Sequence, residues 1–313
     1  MLQMQIQNIN KSKAVFDDIY VSTDPRAYFS VLGALDYMIP DVAESVIRQI
    51  LAAKTAMQGR PSTVLDVGCS YGINAAIHRF PVNFATLKKR YARREMMQID
   101  TGELARLDRH YYASWPDVGC GTFIGFDASP YAINYANEAG LHAAGVAANL
   151  EAHDLSSSEA ALIAPADVVL STGAIGYVTS RTYRRLLNAL ETTPWVISFV
   201  LRMFPYQEFI DLYAERGMVT ERLHGATFVQ RRFRDEAEFE KTLDTLRAQG
   251  IDPQGIESEG VFQAELFLSR PKADAEKAPL EQIVTVSCGR ANQFPGRFVQ
   301  IEDEDGSRTA IEA

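Results

Sequence analysis

Residues 64–76 read VLDVGCSYGINAA, and residues 116–127 read PDVGCGTFIGFD. The tetrapeptide Asp-Val-Gly-Cys therefore begins at Asp66 and again at Asp117. A strand that runs into a glycine turn and then a helix brings backbone N–H groups up to a nucleotide-like ligand. At Asp66 the order is right. The apolar stretch STVLDV precedes it, and Gly68, Gly72 and the helical pattern GINAAIHRF follow. At Asp117 the order is reversed, because Trp115-Pro116 comes first and the strand TFIGFD comes after. Asp117–Gly121 is thus read as a loop entering the second strand, and Asp66 as the site.

Working outward from Asp66, strands and helices alternate. VLGALDYM and AESVIRQILAAK carry apolar residues at helical spacing before the first strand, with Gly59 and Pro61 closing the segment. After TFIGFDAS come the helix SPYAINYANEAG, a weak strand VAANL and a strong strand ADVVLSTG. The helix SRTYRRLLNALETT and the strand WVISFVLRM follow. Ser129 is the candidate N-cap, with Pro130 at the first helical position. This alternation predicts an α/β fold, a Rossmann-like and mostly parallel sheet with helices on both faces. Beyond Pro205 lie the helices YQEFIDLYAERG and DEAEFEKTLDTLRAQG with the β-like ATFVQRRF between them. VFQAELFLSRP is a last strand, expected to pair antiparallel at the sheet edge. EQIVTVSC reads as a further strand and IEDEDGSRTAIEA as a loosely held acidic tail.

A dinucleotide fold places an acidic residue about 20 residues past its glycines, at the end of the second strand, to hold ribose hydroxyls. Nothing near residue 87 fits, whereas Asp127 ends TFIGFD. The simplest repair is an inserted, Arg-rich helical segment over about 80–121, placed to act as a lid. The expected organisation is a helical cap at 1–60 and a core at 61–270, with a substrate-side segment at about 206–233. An extension occupies 271–313.

Composition narrows the function classes. Hydrophobic residues at 47% and charged residues at 23% describe an ordinary globular chain. No apolar run approaches the roughly 18 residues of a membrane span, and MLQMQIQNINKSK has no apolar signal core. A cytoplasmic protein is expected. The three cysteines, Cys69, Cys120 and Cys288, are too scattered for a disulfide framework. No zinc or calcium motif appears, so no metal is expected. A net charge of −9 disfavours nucleic acid as a partner. Monomer and homodimer both stay open.

At these residues the chain resembles the class I S-adenosylmethionine (SAM) dependent methyltransferase family over roughly 60–270. VLDVGCSYG is similar to the family's first motif, with Ser70 standing at its middle glycine. GFDASPYAINYA resembles the second motif, and ADVVLSTGAIGYV resembles the fourth strand. The resemblance implies a seven-stranded sheet with an antiparallel last strand, SAM as cofactor and a small-molecule acceptor. It implies that Asp66, Gly68, Cys69, Ser70 and Gly72 hold the amino-acid side of SAM. Asp127 and Ala128 would lie at its ribose, and Asn149 and Leu150 at its adenine edge. Ser171, Thr172 and Gly173 would lie along its methionine tail.

The remaining candidates carry two readings each. Tyr177 offers an aromatic face to a sulfonium, or packs on the helix behind it. Tyr20, Tyr28 and Arg26 fence and pair with the cofactor, or pack within the cap together with Phe29 and Tyr37. A general base serves only a poorly ionised acceptor, and His110 and His224 are the histidines placed to supply one. Some proteins similar to the family attack the aminobutyryl carbon of SAM instead of its methyl group. They release methylthioadenosine, in one variant while closing azetidine-2-carboxylate from the cofactor's own amine. That chemistry is the alternative to methyl transfer here.

Overall fold

The structure is a computed structural model, and it describes residues 17–286, 297–303 and 306–312. The first 16 residues, Ser287 and Cys288 lie outside these. Among the described residues three helices precede the sheet: α1 (Asp17–Tyr20), α2 (Arg26–Ala34) and α3 (Ile39–Gln58). In α3 the buried residues Ile39, Ala43, Val46, Ile47 and Ile50 recur at three- and four-residue steps, which makes one face apolar. Gly59, at φ 72°, ends the helix in the left-handed conformation.

β1 (Ser62–Val67) leads through the glycine turn into α4 (Ile73–Arg79). The insertion is helical, as its composition predicts, and consists of α5 (Phe84–Tyr91), α6 (Arg94–Met97) and α7 (Thr101–Ala113). Then come β2 (Gly121–Asp127), α8 (Pro130–Glu138), β3 (Ala144–Ala147), α9 (Ser157–Ile163) and β4 (Val168–Ser171). The chain continues with α10 (Ser180–Ala189), β5 (Trp195–Leu201), α11 (Gln207–Ala214), β6 (Met218–Arg222) and β7 (Phe228–Arg232). It closes the sheet with α12 (Glu236–Ala248) and β8 (Val261–Pro271). Two short helices follow, α13 (Lys272–Lys277) and α14 (Leu280–Ile283), and then a hairpin of β9 (Arg297–Asp303) and β10 (Gly306–Glu312).

The strand order is β3-β2-β1-β4-β5-β8-β6, with β7 also paired to β8. β1, β2, β3, β4 and β5 are mutually parallel; β8 runs antiparallel to β5, β6 and β7. The chain leaves β1 in one direction toward β2 and β3 and in the other toward β4 and β5. Open α/β sheets bind ligands at such a reversal, beyond the carboxyl ends of the strands, which here are those of β1 and β4. The Rossmann-like expectation holds, with three corrections. The sheet has eight strands, not seven, because β6 was hidden behind a helical pattern that Gly217 ends at φ 72°. β8 lies inside the sheet between β5 and β6, not at its edge. EQIVTVSC starts as helix α14, and the acidic tail contributes to the hairpin β9–β10.

β8 is long enough to serve two neighbours. Its last pair with β5 is Ala264 with Leu201, so Val261 to Gln263 run on beyond β5. β7 covers that overhang, pairing Val229 with Gln263 and Arg232 with Val261. The cap is tied to β7 in turn, since Met38 N donates to Gln230 O at 2.8 Å and Arg232 N to Leu35 O at 2.8 Å.

The insertion is anchored through one buried carboxylate. Asp108 on α7 takes two hydrogen bonds from Arg90 of α5 at 3.0 and 2.7 Å. Its other oxygen accepts from Tyr91 at 2.9 Å and from Tyr135 of α8 at 2.6 Å. A buried charge needs such pairing to be tolerated at all.

Candidate functional site

The glycine turn after β1 is shaped by three residues with positive φ: Gly68 at 72°, Ser70 at 49° and Gly72 at 81°. Glycine is required at Gly68 for a second reason, because a Cβ there would stand 2.7 Å from Ala174 Cβ. Ser70 accepts the left-handed conformation without being glycine, and its N–H donates to Asp127 Oδ2 at 2.9 Å. Gly68 N donates to Phe126 O at 2.8 Å. The turn is therefore stitched to the end of β2, and Asp66 and Asp127 stand at the carboxyl ends of adjacent strands.

Asp66 is fully buried. Its Oδ1 accepts from Asn74 Nδ2 at 2.9 Å, and its Oδ2 has no hydrogen-bond partner. Burial pushes its carboxyl up to about 7, against the pull of the Asn74 hydrogen bond, and the charge of Asp127 adds to the rise. Asn74 Nδ2 also reaches Thr172 Oγ1 at 3.1 Å, tying α4 to the end of β4. Asp127 Oδ1 accepts from Ser129 N at 2.9 Å. Burial raises its pKa too, opposed by the N–H groups of Ser129 and Ser70. Asp127 does not cap α8, a role that Ser129 fills; the N–H groups of Ser70 and Ser129 each hold one of its oxygens, and lone pairs remain on both.

The cap lies over this pair. Tyr71 of the glycine turn places its hydroxyl 2.7 Å from both Ile19 O and Ser22 O. Ser129 Oγ donates to Tyr20 O at 2.5 Å while accepting from Ala132 N as the expected N-cap. Tyr28 is the hub of the aromatic rings beneath. Tyr20, Tyr37 and Tyr71 stand 6.0, 6.2 and 5.7 Å from it, edge to face. Burial raises the phenol pKa of Tyr20, and the charges of Tyr177, Tyr37 and Asp127 raise it further. The phenols of Tyr28 and Tyr37 are raised by burial as well. These side chains are consequently neutral donors at physiological pH.

The other expected residues fall in several places. Thr172 joins the Asp66–Asn74 cluster, Ser171 Oγ accepts from Ala174 N at 3.1 Å, and Gly173 turns at φ 148°. Cys69 is buried, and burial raises its thiol pKa. Ala128 is exposed, and so is Asn149, whose Oδ1 accepts from Glu151 N at 3.1 Å. Leu150 is buried, and its carbonyl accepts from Arg185. Tyr177 stands at the rim, 47% exposed. His110 is exposed on α7. His224 is exposed in the loop after β6, lining a separate cleft of about 300 Å³ with Arg202, Arg222 and Glu265.

Arg26 requires a correction. Its guanidinium is committed to the protein: Nε and Nη2 donate to Asp24 at 2.9 and 2.6 Å, and Nη1 donates to Met96 O and Ile99 O. It joins the cap to the insertion and is spent there instead of on a ligand carboxylate. Asn74, Tyr71 and Gln230 were not foreseen. Asn74 had one signal, an amide set in the apolar run GINAAI. Tyr71 and Gln230 had none, since their partners are distant in sequence.

Among the described residues there is no group of three or more His, Cys, Asp and Glu that could hold a metal ion. No helix among them is long and apolar enough to cross a membrane.

No family model and no curated protein matches the chain. Several solved structures are similar. The plantazolicin methyltransferase BpumL in complex with SAH is 13% identical, covers 87% of this chain and 100% of its own, and has a TM-score of 0.42. A TehB-like SAM-dependent methyltransferase from Corynebacterium glutamicum ATCC 13032 Kitasato is 15% identical over 70% of this chain and 86% of its own, with a TM-score of 0.34. The O-methyltransferase from a trans-AT PKS multienzyme of Brevibacillus brevis, in complex with S-adenosyl-L-homocysteine, is 12% identical over 76% and 75%, with a TM-score of 0.35. Likenesses this distant carry no argument about residues or chemistry, and the site rests on its own geometry.

Proposed function

We propose that this protein is a SAM-dependent methyltransferase acting on a small molecule. One observation carries the reading. Asp66 and Asp127 end the neighbouring parallel strands β1 and β2, beside the reversal of strand order between β1 and β4, and the glycine turn that follows Asp66 is tied to Asp127 by Ser70 N–H. The residues present fit the cofactor. Asp66 Oδ2 is a buried acceptor without a partner, suited to an ammonium group. Asp127 keeps acceptor capacity for a pair of hydroxyls. Gly68 lets the turn pack directly against Ala174 of the β4 loop.

When bound, SAM supplies a methyl group already activated on a sulfonium. The protein's task is then to align an acceptor and exclude water. Tyr20, Tyr28 and Tyr37 of the cap do the excluding, and the ring faces suit a neighbouring cation. Tyr177 at the rim is the candidate to orient the acceptor. A base role for His110 or His224 has less support, since both side chains are exposed and away from the aspartate pair. A net charge of −9 supports a small-molecule acceptor over a nucleic acid.

The test is incubation of the purified chain with SAM, alone and with a panel of small acceptors, followed by mass spectrometry. A methylated product together with S-adenosylhomocysteine supports the reading. Methylthioadenosine formed without any acceptor overturns methyl transfer in favour of attack on the aminobutyryl carbon. Failure to bind SAM overturns both.

A further inference from the structure

Gln230 lies on β7, which pairs with the part of β8 that runs on beyond β5. Its side chain is 4% exposed, and its Oε1 has no hydrogen-bond partner. A buried amide oxygen in that state calls for a donor from elsewhere. The amide is directed at the end of β4, because a Cβ placed on Gly173 would stand 2.9 Å from Gln230 Nε2. Gly173 adjoins Thr172, which shares the Asn74 amide with Asp66. Asp66, with its Oδ2 unpartnered, and the Gln230 amide, with its Oε1 unpartnered and its Nε2 beside Gly173, thus reach the same β4 turn from β1 and from β7. Met38 N holds the Gln230 backbone to the cap that carries Tyr28 and Tyr37.

The chemistry of the missing donor follows from these acceptors. Gly173 follows the end of β4, where the methionine side of the ligand would lie, and of the groups on that side the sulfonium and the carboxylate have no N–H to give. An ammonium has three, and its charge suits the Asp66 carboxylate. We propose that Gln230 Oε1 accepts a hydrogen bond from the amino-acid ammonium of the bound S-adenosyl ligand, with Asp66 as the counter-charge. β7 thereby becomes part of the cofactor site, and Gln230 selects ligands that carry the amine. The inference rests on the SAM reading above.

The test uses two ligands, S-adenosylhomocysteine, which has the ammonium, and 5′-methylthioadenosine, which lacks it. Each is titrated calorimetrically into the full chain. Gln230→Leu is expected to weaken S-adenosylhomocysteine by roughly 10- to 100-fold, the loss of one hydrogen bond to a charged group. Methylthioadenosine should bind as it does to the parent protein. Gln230→Glu keeps an acceptor oxygen and should retain S-adenosylhomocysteine binding. Unchanged S-adenosylhomocysteine affinity in Gln230→Leu overturns the role of Gln230 while leaving the SAM reading intact. Equal loss of both ligands overturns selective recognition of the amine. If the parent protein binds neither ligand, the reading and the inference fall together.

Discussion

Asn74 donates one side-chain N–H toward Asp66 Oδ1 at 2.9 Å and reaches Thr172 Oγ1 at 3.1 Å from the same nitrogen. One amide thereby ties the carboxyl ends of β1 and β4 to each other through the first turn of α4. Asn74→Leu leaves Asp66 without any hydrogen bond. The expected cost is about 1–3 kcal/mol of stability, together with weakened SAM binding. Urea denaturation and a SAM titration on the same variant check both, and a variant as stable and as tight-binding as the parent would remove Asn74 from the site.

Asp66 gives a pH dependence of defined sign. Burial pushes its carboxyl up to about 7 in the folded chain, from an ordinary value of 3.8. A carboxyl raised by folding binds more protons folded than unfolded, so its contribution favours folding at low pH and is lost as pH rises through that window. The difference in Tm between the parent and Asp66→Asn should therefore shift against the parent as pH rises from about 4 to 7. A difference that does not change with pH contradicts the assignment.

A cationic ligand should reverse that penalty. Binding of an ammonium beside Asp66 favours its ionised form and releases a proton below pH about 7. The affinity for S-adenosylhomocysteine is expected to rise from pH 6 to 8 in roughly the proportion that Asp66 ionises. In Asp66→Asn binding should be much weaker and flat over that range. Calorimetry in two buffers of different ionisation enthalpy reads the released proton directly.

Two glycines with the same φ separate conformation from contact. Gly68 and Gly217 both sit at 72°, but a Cβ on Gly68 meets Ala174 at 2.7 Å, whereas one on Gly217 meets nothing within 4 Å. Gly217→Ala should cost about 1–2 kcal/mol, the left-handed penalty alone, and leave cofactor binding intact. Gly68→Ala adds a clash between the turn and the β4 loop and should abolish binding. Equal binding by the two variants would show that the close approach at Gly68 does not matter.

Arg26 clamps the cap to the insertion rather than holding a ligand. Arg26→Lys loses the fork to Asp24 and a donor to the Met96 and Ile99 carbonyls. Limited proteolysis should then cut the 17–25 or the 92–100 segment several-fold faster. The affinity of the remaining site for methylthioadenosine should change little. A large loss of affinity with no change in proteolysis would return Arg26 to the cofactor.

The sequence by itself determined the centre of this fold. A short apolar run closed by Gly68 is a buried strand wherever it sits. Ser129-Pro130 starts a helix by its own hydrogen bonding and fixed φ. An acid missing near residue 87 and present at Asp127 located the insertion. These are local properties, set by backbone sterics and by the period of apolar residues. They were enough to set Asp66, in a strand that leads into a helix, apart from Asp117, whose carboxylate pairs with Arg79 in a loop. Tertiary structure alone decided the rest. β8 lies between β5 and β6 because strand pairing is a non-local choice that its own alternation cannot encode. Arg26 turned away from the ligand because its acceptors, Met96 O and Ile99 O, arrive from 70 and more residues along the chain. Gln230 reached the β4 turn only because β8 overhangs β5 and carries β7 beyond the sheet. Periodicity reports which face a residue shows; which partner meets that face depends on the closing of the whole chain.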